Sequence, residues 1–236
     1  MLEVDGLRTG YRGRPAVFDA SLSVAEGEIV ALVGHNGAGK TTTLKSVVGL
    51  LPAWQGGVRF REEDISRSRA ADNVRRGLCF LPEDDFVFTD LTVEDNLTLA
   101  RFGVGSQGRA SRDADAVRAE IFEVLPVLRE RSKQRAGTLS GGERRMLSIG
   151  MALAAEPRML LVDEPSLGLA PVLVERVMDL LAELVRRKGL SVLMVEQNVD
   201  QALRIADRCY VMRAGRIVME ESAARLAARD QWWDLF

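Results

Sequence analysis

Apolar residues in this chain fall into short runs of two kinds. Leu2-Glu3-Val4 and the segment 17–24 alternate apolar with polar side chains, the period of a strand with one face on water. Ile29-Val30-Ala31-Leu32-Val33 is apolar without interruption, as expected of a strand covered on both faces. Further apolar runs recur at Leu78-Cys79-Phe80-Leu81, Met159-Leu160-Leu161-Val162 and Ser191-Val192-Leu193-Met194-Val195. Helical spacing separates several of them, for example over 172–187, and a helix is expected to start near Lys40. Strand and helix in alternation predict an α/β fold whose sheet is mostly parallel, with helices on both sides. The N-terminal strands are expected to be antiparallel.

The stretch 86–137 departs from this rhythm. It lacks strand runs, carries helix starts at Thr92-Val93-Glu94 and Ser111-Arg112-Asp113, and contains the glycine-rich patch Gly103-Val104-Gly105-Ser106-Gln107-Gly108. It reads as a helical subdomain inserted into a core made of 1–85 and 138–236, the whole forming one domain. No internal repeat or low-complexity tract appears.

Composition narrows the class. A chain of 236 residues can bury one substantial core. A net charge of −2 lacks the basic footprint of a phosphate-backbone binder, so no nucleic-acid partner is expected. No apolar run approaches the roughly 18 residues of a membrane span. Met1-Leu2-Glu3-Val4-Asp5 is acidic and unlike a signal peptide. The expectation is a cytoplasmic protein that reaches a membrane only through a partner. Cys79 and Cys209 each lie in a strand-like run and read as buried thiols of a reducing compartment. The aromatic segment Gln231-Trp232-Trp233-Asp234-Leu235-Phe236 reads as the cap of a core or a subunit contact.

Gly34-His35-Asn36-Gly37-Ala38-Gly39-Lys40-Thr41 satisfies G-x-x-x-x-G-K-[ST] at every required position, directly after a strand and before a helix. Glycines let successive N–H groups turn inward on phosphate oxygens, and the helix start adds its positive dipole end. Lys40 supplies a cation for the β- and γ-phosphates, the Thr41 hydroxyl is a Mg²⁺ ligand, and Thr42 continues the first turn. His35, the single histidine, occupies a variable loop position and reads as a solvated loop residue. The segment predicts binding of ATP.

Met159-Leu160-Leu161-Val162 ends in Asp163-Glu164. A strand delivering Asp163 beside Thr41 would let it hold Mg²⁺, usually through water, while Glu164 would orient or deprotonate the attacking water. Twenty residues earlier stands Leu139-Ser140-Gly141-Gly142-Glu143, which resembles the LSGGQ signature of ABC ATPases with Glu in the last place. The resemblance implies a P-loop NTPase core with an N-terminal antiparallel β subdomain and an inserted helical subdomain. It also implies an adenine-stacking role for Tyr11, a core-to-helical-subdomain link at Leu81-Pro82-Glu83, a loop after the catalytic glutamate at Ser166-Leu167-Gly168-Leu169, and a switch position at Gln197. In the family, Ser140 and the Gly141 and Gly142 amides, followed by Glu143, form a second anion cradle that closes on ATP held by another cassette. Two cassettes would thus clamp two ATPs, and loss of the γ-phosphate would loosen them.

Glu83 and Gln197 depart from the commonest family pattern, which has glutamine and histidine there. Gln197 keeps an amide for a γ-phosphate but takes up no proton near neutral pH, leaving Glu164 as the candidate base. Glu83 places an anion near the metal and the water and would need the metal to offset repulsion from phosphates. With Asp163-Glu164-Pro165-Ser166-Leu167-Gly168-Leu169-Ala170-Pro171 and Val195-Glu196-Gln197-Asn198, the chain resembles the LivF-type ATPase of branched-chain amino-acid importers over roughly residues 1–220. Where relatives tend to follow Pro-Glu with Gly-Arg, this chain has Asp84-Asp85-Phe86. That resemblance implies a second ATPase chain (LivG-type, or a homodimer in isolation), two transmembrane permease subunits, and indirectly a periplasmic or extracellular substrate-binding protein. It implies a peripheral site on the inner face of the cell membrane. The alternatives are an ATPase of urea or amide uptake or of lipopolysaccharide export, and a soluble ABC ATPase without a transport role.

Overall fold

The computed structural model describes residues 1–102 and 113–228. The patch 103–108, the helix-start residues Ser111 and Arg112, and the aromatic segment 231–236 lie outside the described residues. Strands β1 (Leu2–Tyr11) and β2 (Arg14–Val24) make a hairpin, and β3 (Ile29–Val33) runs through the phosphate loop into α1 (Lys40–Val47). Next come β4 (Gln55–Phe60), β5 (Glu63–Asp64), α2 (Ala70–Arg76) and β6 (Leu78–Leu81). Helices α3 (Val93–Phe102), α4 (Ala114–Val124), α5 (Pro126–Glu130) and α6 (Gly141–Ala154) follow. The chain returns to the sheet with β7 (Met159–Asp163), α7 (Pro171–Lys188), β8 (Ser191–Glu196) and α8 (Val199–Leu203). It closes on β9 (Arg208–Arg213), β10 (Arg216–Ser222) and α9 (Ala223–Ala227).

All the strands share one sheet in the order β5-β4-β1-β2-β10-β9-β3-β8-β7-β6. From β9 to β6 the pairing is parallel. From β5 to β2 it is antiparallel, as the alternating N-terminal pattern predicts. The two blocks meet at β10, which touches β2 through a single bridge, Arg216 to Asp19. Every residue of β3, β7 and β8 is buried, and the period of two still sorts their side chains. Ile29, Ala31, Val33, Leu160, Val162, Val192 and Met194 face the core formed with α3, α4, α6 and α7. Val30, Leu32, Met159, Leu161, Leu193 and Val195 face the core shared with α1, β1, β2 and β4. Continuous apolar runs therefore serve two cores at once.

Helix α7 shows how local signals set an element. Pro171 opens it, Gly189 ends it in a left-handed conformation, and Val174, Val177, Met178, Leu181, Leu184 and Val185 make its buried stripe. Cys79 and Cys209 are buried thiols not joined in a disulfide, and burial pushes the Cys209 thiol up to about 12. Between β6 and α6 the described residues are helical or irregular, with one isolated bridge between Thr92 and Arg135. No helix among the described residues is long and apolar enough to cross a membrane.

Candidate functional site

In the parallel block the carboxyl ends of β3, β8 and β7 lie side by side. Val33 pairs with Glu196, and Asp163 with Val195. The crevice outside such strand ends is where open α/β sheets hold ligands. Leaving β3, the chain presses Gly34 against the end of β9, where an added Cβ would stand 2.2 Å from the Met212 carbonyl oxygen. Only glycine fits there. His35, Asn36 and Gly37 form the exposed outer curve, and the buried Ala38 accepts the Gly215 N–H at 2.8 Å, tying the loop to the β9–β10 turn. Helix α1 starts after Gly39 with no side-chain cap and no acidic residue in its first turn. The N–H groups of Lys40, Thr41 and Thr42 are therefore left for an anion rather than for the protein's own carboxylates.

Lys40 is buried, and its Nζ donates to the Gly34 oxygen at 2.7 Å and the His35 oxygen at 3.2 Å. Glu164 Oε1 stands 3.8 Å from the same ammonium. Burial pulls the Lys40 pKa down, against the upward pull of Glu164, Asp163 and Glu196. Thr41 Oγ1 donates to Asp163 Oδ1 at 2.9 Å, bringing together two groups 122 residues apart in sequence. Asp163 is 1% exposed, and burial raises its pKa; the Thr41 hydrogen bond opposes this, while Glu164 and Glu83 add to it. Glu164 has a left-handed backbone (φ 43°), sparsely populated by residues with a Cβ, and its N–H donates to the Val195 oxygen at 2.9 Å. The turn swings its carboxylate away from the strand line toward Lys40.

A cleft of about 590 Å³ opens beside these groups, lined among others by Gly34, His35, Glu164, Ser166, Glu196 and Gln197. Gln197 is exposed at the end of β8. Glu196, one residue earlier, is 1% exposed and accepts the Ser166 N–H at 3.0 Å and the Ser166 Oγ–H at 2.9 Å. Burial raises the Glu196 pKa, against these hydrogen bonds. Glu83 is exposed just beyond β6. Tyr11, 45% exposed, ends β1 opposite Arg14.

Ser140 caps α6 in a reciprocal capping box: its Oγ accepts the Glu143 N–H at 3.3 Å, and Glu143 Oε2 accepts the Ser140 N–H at 2.8 Å. That hydrogen bond is the main reason the Glu143 pKa is lowered. Arg131 Nε pairs with the other carboxylate oxygen at 2.5 Å. Ser140 and Gly141 are exposed, while Gly142 is packed against Leu173. Ser140, Gly142 and Glu143 line a different cavity of about 610 Å³, with Leu173 and Arg176. Gly34, His35, Glu164 and Gln197 thus share one cleft, Asp163 is held against Thr41 beside it, and Ser140 and Gly142 face a different cavity.

Two features went unread in the sequence: the Ser166–Glu196 latch, and Arg145, a buried cation on α6. Arg145 shares a helix face with Ser148 and Ile149, so its spacing alone points it into the core.

A buried strand, a glycine loop, a helix start and a carboxylate two strands along the sheet define a phosphate-loop nucleotide-binding cassette. Residues 17–167 match the family model described as ABC transporter. Over 236 residues the chain is 41% identical to the high-affinity branched-chain amino acid transport ATP-binding protein BraG of Pseudomonas aeruginosa, covering 100% of this chain and 99% of that one. It is 36% identical to the probable branched-chain amino acid transport ATP-binding protein LivF of Archaeoglobus fulgidus, covering 98% and 96%. It is 38% identical to the lipopolysaccharide export system ATP-binding protein LptB of Escherichia coli, covering 92% and 88%. Among solved structures, a nucleotide-free ATP-binding cassette from an ABC transporter superposes with a TM-score of 0.87 at 26% identity, covering 100% and 98%. The chain belongs to the ABC transporter family: it is an ATP-binding subunit whose ATP hydrolysis is coupled to transport.

Proposed function

We propose that this subunit powers uptake of branched-chain or related hydrophobic amino acids. The end-to-end likeness to the Pseudomonas aeruginosa protein, 41% over all 236 residues, carries this reading. The export reading favours a histidine at position 197, where this chain has Gln197.

In this reading the amides of 34–42 and Lys40 hold the triphosphate of ATP, and Tyr11 stacks on adenine. Triphosphate oxygens replace the Gly34 and His35 carbonyls as partners of Lys40. Thr41 and Asp163 offer hard oxygen ligands of the kind Mg²⁺ takes. Among the described residues no cluster of three or more His, Cys, Asp or Glu could hold a metal, which suits a cation held mainly by nucleotide and water. Bound Mg²⁺ neutralises charge on the β- and γ-phosphates. Glu164 takes the proton of the attacking water, Gln197 donates its amide to the γ-phosphate, and Glu83 faces the metal side of the site. Ser140, Gly141 and Gly142, with Glu143 bracing the helix start, close over the nucleotide of a second cassette.

That cassette is a LivG-type chain, or a second copy of this one in isolation. The pair docks on two permease subunits served by a substrate-binding protein, at the inner face of the membrane, with 86–137 as the helical subdomain and 1–85 and 138–236 as the core. Affinity purification from membranes, followed by reconstitution in vesicles, tests the reading. The expected outcome is co-isolation of two multi-span proteins and a second ATPase, and ATP-dependent uptake of radiolabelled leucine. A co-isolated lipopolysaccharide export machine, or a ribosome or DNA complex, would refute it.

A further inference from the structure

Arg145, only 2% exposed, uses the hydrogen bonds of its guanidinium on backbone carbonyls from two other segments. One terminal nitrogen donates to the Pro82 oxygen at 2.8 Å and the Glu83 oxygen at 3.2 Å, and the other to the Asp163 oxygen at 3.3 Å. Its nearest carboxylate, Asp85, stands 3.9 Å away and also 3.9 Å from Arg144. Burial pushes the Arg145 pKa down, while Asp85, Asp163, Glu196 and Glu83 hold it up. A buried cation is a poor device for stability alone, because a packed apolar side chain often does as well. What a planar fork with several donors supplies is fixed geometry among the groups it touches.

The three groups matter. Arg145 rides on α6, three residues beyond Gly142, so it moves with the Ser140-Gly141-Gly142 end of that helix. Its Asp163 partner is the carbonyl of the residue whose carboxylate takes the Thr41 hydroxyl, and Glu164 follows directly in a left-handed turn. Its Pro82 and Glu83 partners form the turn leaving β6 for the helical stretch. One side chain therefore ties the face offered to a partner's nucleotide, the turn toward the helical stretch, and the strand end holding the base.

We propose that Arg145 is a positioning residue that sets Asp163 and Glu164 according to the position of α6, so that closure of one chain's signature face tunes that same chain's own hydrolytic site. The inference rests on the two-cassette reading above.

The test uses the full-length chain with its partner cassette, comparing wild type, Arg145→Lys and Arg145→Met. Lysine keeps the charge but cannot bridge the Pro82–Glu83 turn and Asp163 together. For Arg145→Lys the expected result is ATP affinity and KM within about threefold of wild type, a melting temperature within a few degrees, and kcat lowered about tenfold or more. Arg145→Met is expected to lose more kcat than the lysine variant, again with ATP binding retained. A wild-type kcat in either folded variant overturns the proposal. So does a kcat loss matched by equal loss of ATP affinity, or failure of both variants to melt cooperatively, since each makes Arg145 a structural residue. A wild-type pair that does not hydrolyse ATP overturns the two-cassette reading itself, which separates the two failures.

Discussion

Replacing Gly34 by alanine adds one methyl group where the structure has no room. The new Cβ would stand 2.2 Å from the Met212 carbonyl oxygen, whereas a relaxed carbon–oxygen contact needs about 3.3 Å. The gap must open by about 1 Å. Met212 cannot easily retreat, because β9 is held by β3 on one side, where Val33 pairs with Val211, and by β10 on the other. The loop moves instead, and with it the amides and the Lys40 ammonium. The strain should cost about 1–3 kcal/mol of stability, or roughly 2–12 °C in melting temperature for a chain of this length. Charge-assisted hydrogen bonds contribute about 1.5–3 kcal/mol each, so misaligning one or two should weaken ATP binding about 100-fold. Fluorescent-nucleotide displacement measures the affinity, and calorimetry the stability. Gly13→Ala is the control: Gly13, unlike Gly34, has positive φ (79°), but an added Cβ there meets nothing within 4 Å, so it should lose some stability and keep its affinity. If Gly34→Ala binds ATP within about threefold of wild type, the contact with Met212 does not set the loop.

Glu164→Gln should lower kcat at least 100-fold while ATP binding holds and an ATP-bound pair of cassettes accumulates in size-exclusion runs; unchanged turnover would remove the glutamate from the chemistry. Glu28 is held below the usual carboxylate range: burial works against this, but hydrogen bonds from Arg208 and the Ala25 N–H outweigh it. Its contribution is therefore fully present above the unfolded-state pKa of about 4.3 and is lost as pH falls through the lower folded-state value. Glu28→Gln should melt roughly 2–12 °C lower at pH 7, corresponding to about 1–3 kcal/mol, with the difference shrinking in acid; a pH-independent difference would contradict the pairing. Glu196→Gln leaves one oxygen to accept two Ser166 donors, so kcat should fall several-fold with ATP affinity unchanged, and an unaltered kcat would make the latch a bystander.

Where function requires contiguous residues, the sequence was readable. The strand runs at 29–33 and 78–81 coincide with β3 and β6, because a strand buried on both faces has no polar positions to blur its limits. β4 begins Gln55-Gly56-Gly57, a poor strand former: β1 pairs with Gln55 and Gly57 on either side of a register shift, and Gly56 between them takes a positive φ (80°). In the site, the phosphate loop and the Asp163–Glu164 pair were legible because a motif fixes residue types at fixed spacing. Arg145 was not, because its partners are carbonyl oxygens up to 63 residues away, and any amino acid provides a carbonyl. Glu143 stood out as a departure, but its capping role needed the start of α6 at Gly141.

The charges at the strand ends argue that the nucleotide enters with a cation. Lys40 and Arg145 are the buried cations of this layer, and both already face anions or carbonyls of the protein. Asp163 and Glu196 are buried carboxylates with raised pKa values, Glu164 adjoins Lys40, and Glu83 adds its field to Asp163. A triphosphate brought to such a place alone would meet more negative charge than the two cations offset. Drawing Lys40 onto the phosphates would also leave Glu164 without its counter-charge. In the proposed reading a divalent cation beside Thr41 and Asp163 would remove both conflicts. In that reading the same cation also replaces Lys40 as the positive charge on the Glu164 side of the cleft.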